Sequence, residues 1–278
     1  MIKMKKIISF SLWGDNPVYV LGAILNADIA MTEWEGWICR FYVSPNVPES
    51  AIQELESRDN VEVIRMEQDE SWNGMFWRFY AAGDHDVSVA IFRDADSRLS
   101  VRDKAAVEEW IATDKGIHIM RDNCQHGWEI CGGAWGAKDN ALCEIKNFID
   151  DFDYKMISNK HGIDQIWLSK DIYPSFWKEA YVHDDWFATS FTHEDKHPFP
   201  IPRLRGEGWE KQEFQDWHSG TEDDESNYSH WFGADGPGHC FFKCPACGEY
   251  HDNDYIGKVR TPNKEEKEKY SHIMKDLK

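Results

Sequence analysis

The run Val87–Phe92 is apolar apart from Ser88 and stops abruptly at Arg93-Asp94-Ala95-Asp96-Ser97-Arg98. A run this dense in apolar residues reads as a strand covered on both faces. That restricts the chain to architectures in which helices flank a sheet. The hexapeptide after it carries two carboxylates two residues apart. In extended backbone, residues i and i+2 point to the same side. Asp94 and Asp96 can therefore converge on one divalent cation. A hard cation held by one or two carboxylates keeps positions open for water and phosphate oxygens. The competing reading is a polar strand-to-helix turn, with Asp96 or Ser97 near the cap of the next helix.

The same punctuation recurs along the first part of the chain. Lys6–Leu12, Trp37–Val43, Val61–Met66 and Ile117–Met120 read as further strands. Between them, Val18–Trp34 puts Leu21, Leu25 and Ile29 on one helical stripe, and Pro48 opens a helix over Pro48–Arg58. Gly74–Ala82 predicts a short helix. Ser100 caps another in which Ala106, Val107, Trp110 and Ile111 share a face. Strands alternating with helices predict an α/β fold with a mostly parallel sheet flanked by helices. Ligands of such sheets bind beyond the carboxyl ends of the strands, where Ser11–Gly14 and Arg93–Arg98 lie.

The chain has 278 residues and 41% hydrophobic content, enough for one domain with a smaller module, or for two. We divide it into residues 1–205 and a C-terminal extension, 206–278, with Pro198, Pro200 and Pro202 as an extended linker. Glu222–Glu225 reads as a solvated loop. The net charge of −19 argues against non-specific attraction to nucleic acid or anionic lipid. The last segment, Gly257–Lys278, is nonetheless net positive. No apolar run approaches the roughly 20 residues of a membrane span. Met1–Lys6 is basic, but Ile7–Trp13 meets Gly14-Asp15-Asn16-Pro17 too soon for a signal peptide, so a cytoplasmic protein is expected.

The seven cysteines do not have the spacing of a secreted disulfide scaffold. Cys39, Cys124, Cys131 and Cys143 are scattered and read as buried or idle thiols. Cys240, Cys244 and Cys247 cluster in a Cys-Pro-x-Cys-Gly turn that suits one tetrahedral zinc ion. His251 is the nearest candidate for a fourth ligand, with His239 as substitute. The competing reading is a loop of reduced thiols.

Several segments fall in a recognisable order. They are Ser9-Phe10-Ser11-Leu12-Trp13-Gly14, Met75-Phe76-Trp77-Arg78-Phe79, Arg93–Arg98, His118-Ile119-Met120-Arg121-Asp122, Gly132-Gly133-Ala134-Trp135-Gly136-Ala137-Lys138, Asp164-Gln165 and Val182-His183-Asp184-Asp185. In this order they resemble predicted glycosyltransferases of the GT-A fold from bacteria and tailed phages, and more distantly the retaining, glycogenin-like transferases. The resemblance covers roughly residues 5–205. It implies that Asp94, Asp96 and His183 hold Mn²⁺ or Mg²⁺, which neutralises a nucleotide diphosphate. Ser9, Phe10, Ser11, Trp13, Gly14, Ala95 and Arg121 would then line the nucleotide-sugar site, with Gly132 and Gly133 admitting the sugar against bare backbone. Asp164 and Gln165 would bind donor hydroxyls and Arg78 the diphosphate or sugar, while His118 and Asp122 would shape the donor or acceptor side.

The activity so implied is transfer of a sugar from a UDP-sugar, with retention because the motif order resembles that of the retaining relatives; no residue declares itself as the base an inverting enzyme needs. The acceptor would be a hydroxymethylated DNA base, with the zinc turn and basic tail on the nucleic acid, or else a glycan. Aromatic faces suit sugar rings, although most of the 14 tryptophans read as core. Two other readings use the same residues. One is a nucleotidyltransferase or phosphate-ester hydrolase built on the Asp pair. The other is an inactive domain whose zinc segment recruits a partner.

Overall fold

A computed structural model describes residues 4–67, 72–122, 126–152, 162–185, 187, 190–201, 256–257 and 259–278. The zinc turn at 239–251 lies outside the described residues. Eight strands form one sheet in the order β3-β2-β1-β4-β6-β5-β7-β8. They are β1 (Lys5–Leu12), β2 (Trp37–Val43), β3 (Val61–Arg65), β4 (Val87–Phe92), β5 (Ile117–Arg121), β6 (Trp135–Lys138), β7 (Ala180–Asp184) and β8 (Lys196–His197). All pair in parallel except β6, which runs antiparallel between β4 and β5. The expected α/β fold with a mostly parallel, helix-flanked sheet is what the chain adopts.

The pleat of β1 sorts its side chains between two cores. Ile8, Phe10 and Leu12 enter a cluster with Leu21 and Ile24 of α1 (Pro17–Glu33) and Ile52 and Leu55 of α2 (Glu49–Glu56). Ile7 enters the opposite cluster, with Phe76 and Phe79 of the 3-10 helix Trp72–Gly83 and with Ile163 and Trp167. Helix α3 (Val101–Ile111) follows β4, its first turn capped by the Ser100 hydroxyl accepting from the Asp103 amide. Short helices α4 (Ile145–Asp151), α5 (Ile163–Trp167) and α6 (Tyr173–Phe176) cover the second face.

Two expectations about the end of the chain need revision. Phe199 is 4% exposed and packs in a small core with Met120, Cys131 and Ile256, so the prolines before residue 202 do not begin a free linker. The described tail is likewise part of the main body. After α7 (Lys264–Lys269), Tyr270 and Ile273 of α8 (Ser271–Met274) are buried in the α1–α2 cluster. The Tyr270 hydroxyl donates to Asp28, and Lys269 pairs with the same carboxylate. Among the described residues no helix is long and apolar enough to cross a membrane.

Candidate active site

The site is assembled around Arg78. The 3-10 helix that carries it is twelve residues long, far beyond the usual three or four. Two hydroxyls of β1 help hold it. The Ser9 hydroxyl donates to the Arg78 carbonyl at 2.6 Å, and the Ser11 hydroxyl accepts from the Arg78 amide at 3.0 Å. Beneath it, Phe79 packs against Phe92, Trp135 and Trp167 at centroid distances of 5.2, 5.3 and 5.7 Å. This aromatic cluster ties the helix to β4, β6 and α5, the elements that carry Asp94 and Asp164 to Arg78.

The Arg78 guanidinium spans two carboxylates. One amino group donates to Asp94 Oδ1 and the other to Asp164 Oδ2 at 2.7 Å. Its charge is favoured by Asp94 and Asp164, against the cost of burial. The glycines complete the cradle. A Cβ on Gly132 would lie 2.4 Å from Asp164 Oδ2, and one on Gly133 would lie 2.0 Å from Asp94 Oδ2. Their bare backbone thus makes room for the site's carboxylates. The Gly132 amide donates to Gln165 Oε1 at 2.8 Å. Asp94, Arg78, Asp164, Gln165, Gly132 and Gly133 therefore form one constellation.

Asp96 sits on the same loop. Burial, and then the charge of Asp94, push its carboxyl up to about 7. Ala95 between them is buried, and its carbonyl meets helix α1. At the end of β1, Trp13 abuts Gly74, and Gly14, in the left-handed region at φ 75°, donates its amide to Asn46 Oδ1.

Other expected site residues have different work. Phe10 is fully buried and stacks on Phe41 at 4.9 Å, on the opposite face of β1 from Ser9 and Ser11. It lines no nucleotide site. Ser9 is also fully buried, and its hydroxyl donates to the Arg78 carbonyl. Arg121 is enclosed, bonded to Asp184, Glu194 and the carbonyls of Trp128 and Glu129. Its donors are engaged, so it organises the 128–129 loop and has nothing left for a donor sugar. Asp122 pairs with Arg102 and accepts from the Ile256 amide.

His183 does not join the Asp pair. Its Nδ1 meets His118 Nε2 at 2.8 Å, and its Nε2 lies 3.8 Å from Glu109. His118 in turn stacks on Trp110 at 5.0 Å. Burial lowers the pKa of both rings, that of His183 to about 4. The pair is a neutral element of the core between α3 and β7. Among the described residues no group of three His, Cys, Asp or Glu side chains could hold a metal ion. Of the expected metal set, Asp94 and Asp96 share one loop, and His183 is engaged elsewhere with His118.

Two neighbours of Asp96 escaped the sequence reading. The Arg260 amide donates to the Asp96 carbonyl at 2.8 Å, and Arg98 donates to the Arg260 carbonyl at 3.4 Å. Burial and the nearby Arg260 charge lower the pKa of Arg98. Tyr19 of α1 is the other; burial, Asp96 and Asp94 all raise its hydroxyl. A basic tail was visible in the sequence, but nothing periodic marks where it docks.

No protein-family model and no curated protein matches the chain. Among solved structures, the galactosyltransferase LgtC in complex with donor and acceptor sugar analogs is similar at 12% identity, over 81% of this chain and 99% of that one, with a TM-score of 0.44. A glycosyltransferase involved in glycosylation of the major capsid of PBCV-1 is 13% identical, over 76% and 98%, with a TM-score of 0.42. 4-Diphosphocytidyl-2C-methyl-D-erythritol synthase from Anaerococcus prevotii DSM 20548 is 11% identical, over 65% and 87%, with a TM-score of 0.43. At such scores the chemistry of the site rests on the residues of this chain.

Proposed function

We propose that the protein is a metal-dependent glycosyltransferase that moves a sugar from a nucleotide-diphosphate sugar, with UDP as the nucleotide, to an acceptor. The observation that carries this reading is the Asp94–Asp96 pair at the carboxyl end of β4, with the Asp96 carboxyl held up at about 7 by burial and by Asp94. A cation that joins two carboxylates so placed favours the ionised form of both. They would hold Mn²⁺ or Mg²⁺, a class that leaves its other positions to water and phosphate oxygens. When bound, the ion supplies positive charge for the departing diphosphate.

The chain's own groups do the rest. Arg98 and Arg260 add positive charge beside Asp96. Asp164 and Gln165, fixed against Arg78 and Gly132, face the donor sugar. Because Asp164 is tied to a guanidinium that never loses its proton, it serves as a fixed negative charge and not as the acceptor's base. Retention of configuration fits that arrangement. For the acceptor, the net charge of −19, together with a tail whose Lys269 is paired with Asp28, favours a glycan over DNA. A structural zinc at Cys240, Cys244, Cys247 and His251 belongs to the same proposal, on the spacing of those residues.

The test is melting temperature with Mn²⁺ and a panel of UDP and UDP-sugars, on wild type and Asp96→Asn. A Mn²⁺-dependent rise with UDP that Asp96→Asn abolishes supports the donor site. Turnover is then scored on oligosaccharides and on hydroxymethylated DNA, and modification of DNA alone would overturn the glycan assignment. No rise with any nucleotide would sink the transferase reading. Hydrolysis that ignores acceptors and survives Asp164→Ala would favour a phosphate-ester hydrolase.

A further inference from the structure

Helix α1 is apolar at most of its inner positions, and Asn26 is a buried exception, 1% exposed. A mid-helix asparagine gives up roughly 0.7 kcal/mol of helix propensity against alanine. Burying its amide is costly as well unless its polar atoms find partners. They find them on a single loop. Asn26 Nδ2 donates to the carbonyls of Ala95 at 3.4 Å and Ser97 at 2.8 Å, and its Oδ1 accepts from the Leu99 amide at 3.0 Å. Only this orientation of the amide pairs two carbonyls with the NH₂ and an N–H with the oxygen. One turn earlier, Gly22 brings the helix so close that a Cβ would lie 2.1 Å from the Ala95 oxygen. Tyr19, three residues before it, is the side chain whose hydroxyl senses Asp94 and Asp96. Residues 19, 22 and 26 share one helix face by their spacing, and that face is fitted to the Asp94–Asp96 loop.

We propose that Asn26 is a positioning residue of this site, holding the loop so that Asp94 and Asp96 stay together. The need follows from electrostatics. Two like charges on one loop repel, and a loop free to move would splay to separate them. Three hydrogen bonds to the backbone between and after the two aspartates oppose that motion before any cation arrives. What the loop holds rests on the transferase reading above, whereas how it is held does not. Groups that orient metal ligands in this indirect way typically change affinity 10- to 100-fold when removed.

The test compares Asn26→Ala and the near-isosteric Asn26→Asp with Leu25→Ala, a buried neighbour on the same helix that faces the hydrophobic cluster. Two quantities are read well below each melting temperature. They are hydrogen exchange of the Leu99 amide and Mn²⁺ affinity in the presence of UDP. Asn26→Ala is expected to speed Leu99 exchange and weaken Mn²⁺ about 10- to 100-fold, with Leu25→Ala moving neither. Asn26→Asp keeps the acceptor for Leu99 but no donor for Ala95 and Ser97, so it is expected to spare Leu99 exchange and still lose Mn²⁺ affinity. It is also the informative variant should Asn26→Ala fail to fold. Asn26 variants that match Leu25→Ala in both quantities would overturn the proposal. Wild type that binds no Mn²⁺ would overturn the transferase reading instead, and Leu99 exchange alone would then decide the role of Asn26.

Discussion

Replacing Gly22 by alanine sets two effects of known size against each other. Helix propensity favours the change by about 1 kcal/mol. Sterics oppose it. The new Cβ would meet the Ala95 oxygen at 2.1 Å and its carbonyl carbon at 3.1 Å, where 3.4 Å is the lower edge of ordinary contact. Both are backbone atoms, so no side chain can swing away. Helix and loop must separate by about 1.3 Å, the difference of 3.4 and 2.1. That displacement carries the 2.8 and 3.0 Å bonds of Asn26 beyond hydrogen-bond range. Taking overpacking at the lower end of its range, about 1 kcal/mol, and each of the two lost bonds at about 1 kcal/mol, the steric side prevails by roughly 2 kcal/mol. For a chain of this size that is a fall in melting temperature of about 4–8 °C. Urea unfolding monitored by tryptophan fluorescence gives the free energy directly. A Gly22→Ala protein as stable as wild type, or more so, would show that the loop yields freely and would refute the reasoning.

Other predictions concern the buried charges. Arg78→Met leaves Asp164, 1% exposed at its side chain, without its guanidinium. A loss of about 3–5 kcal/mol is expected by urea unfolding, with partial recovery in Arg78→Met/Asp164→Leu. His183 has its folded pKa depressed from 6.5 to about 4, so its contribution is complete above pH 6.5 and is lost as pH falls towards 4. That amounts to about 3 kcal/mol. Asp96, raised from 3.8 to about 7, slopes the opposite way, giving stability at low pH that is lost as pH rises through 7. Melting curves from pH 4 to 8 should therefore show His183→Leu gaining relative stability towards acid and Asp96→Asn gaining it towards neutrality. Parallel curves for all three proteins would contradict both assignments. Tyr270→Phe removes a hydroxyl that bonds Asp28 and Arg58, and should cost about 1–3 kcal/mol by thermal unfolding.

The sheet was largely legible because its strands announce themselves. Trp37–Val43 and Val87–Phe92 match their predicted bounds, and β1, β3 and β5 differ by a residue at one end. Strands β6, β7 and β8 were not read. In β6, only Trp135 of Trp135-Gly136-Ala137-Lys138 favours a strand, and its extended form is imposed by the neighbours β4 and β5. In the site, the residues whose chemistry is local to a turn or loop (Asp94, Asp164, Gln165, Gly132, Gly133) came together as a group. Phe10 was misread against a signal that was present. It lies between Ser9 and Ser11 in a strand, so it must face away from both. Arg121 and His183 carried no such signal. Whether an arginine meets a phosphate or a glutamate, and whether a histidine meets an ion or a second histidine, is decided by residues far away in sequence. Glu194 and His118 are those residues here.

The burial of Tyr270 and Ile273 against the helices that open the fold also bears on how the protein is made. Leu21, Ile24 and Leu55 emerge from the ribosome long before the side chains that finish their cluster. Until then the α1–α2 surface presents an apolar opening to solvent or to a chaperone. Contacts of such large sequence separation are closed late and slowly. A message truncated before Tyr270 would yield a chain with all eight strands of its sheet and a persistent sticky face, a product fated for aggregation or proteolysis more than for partial activity.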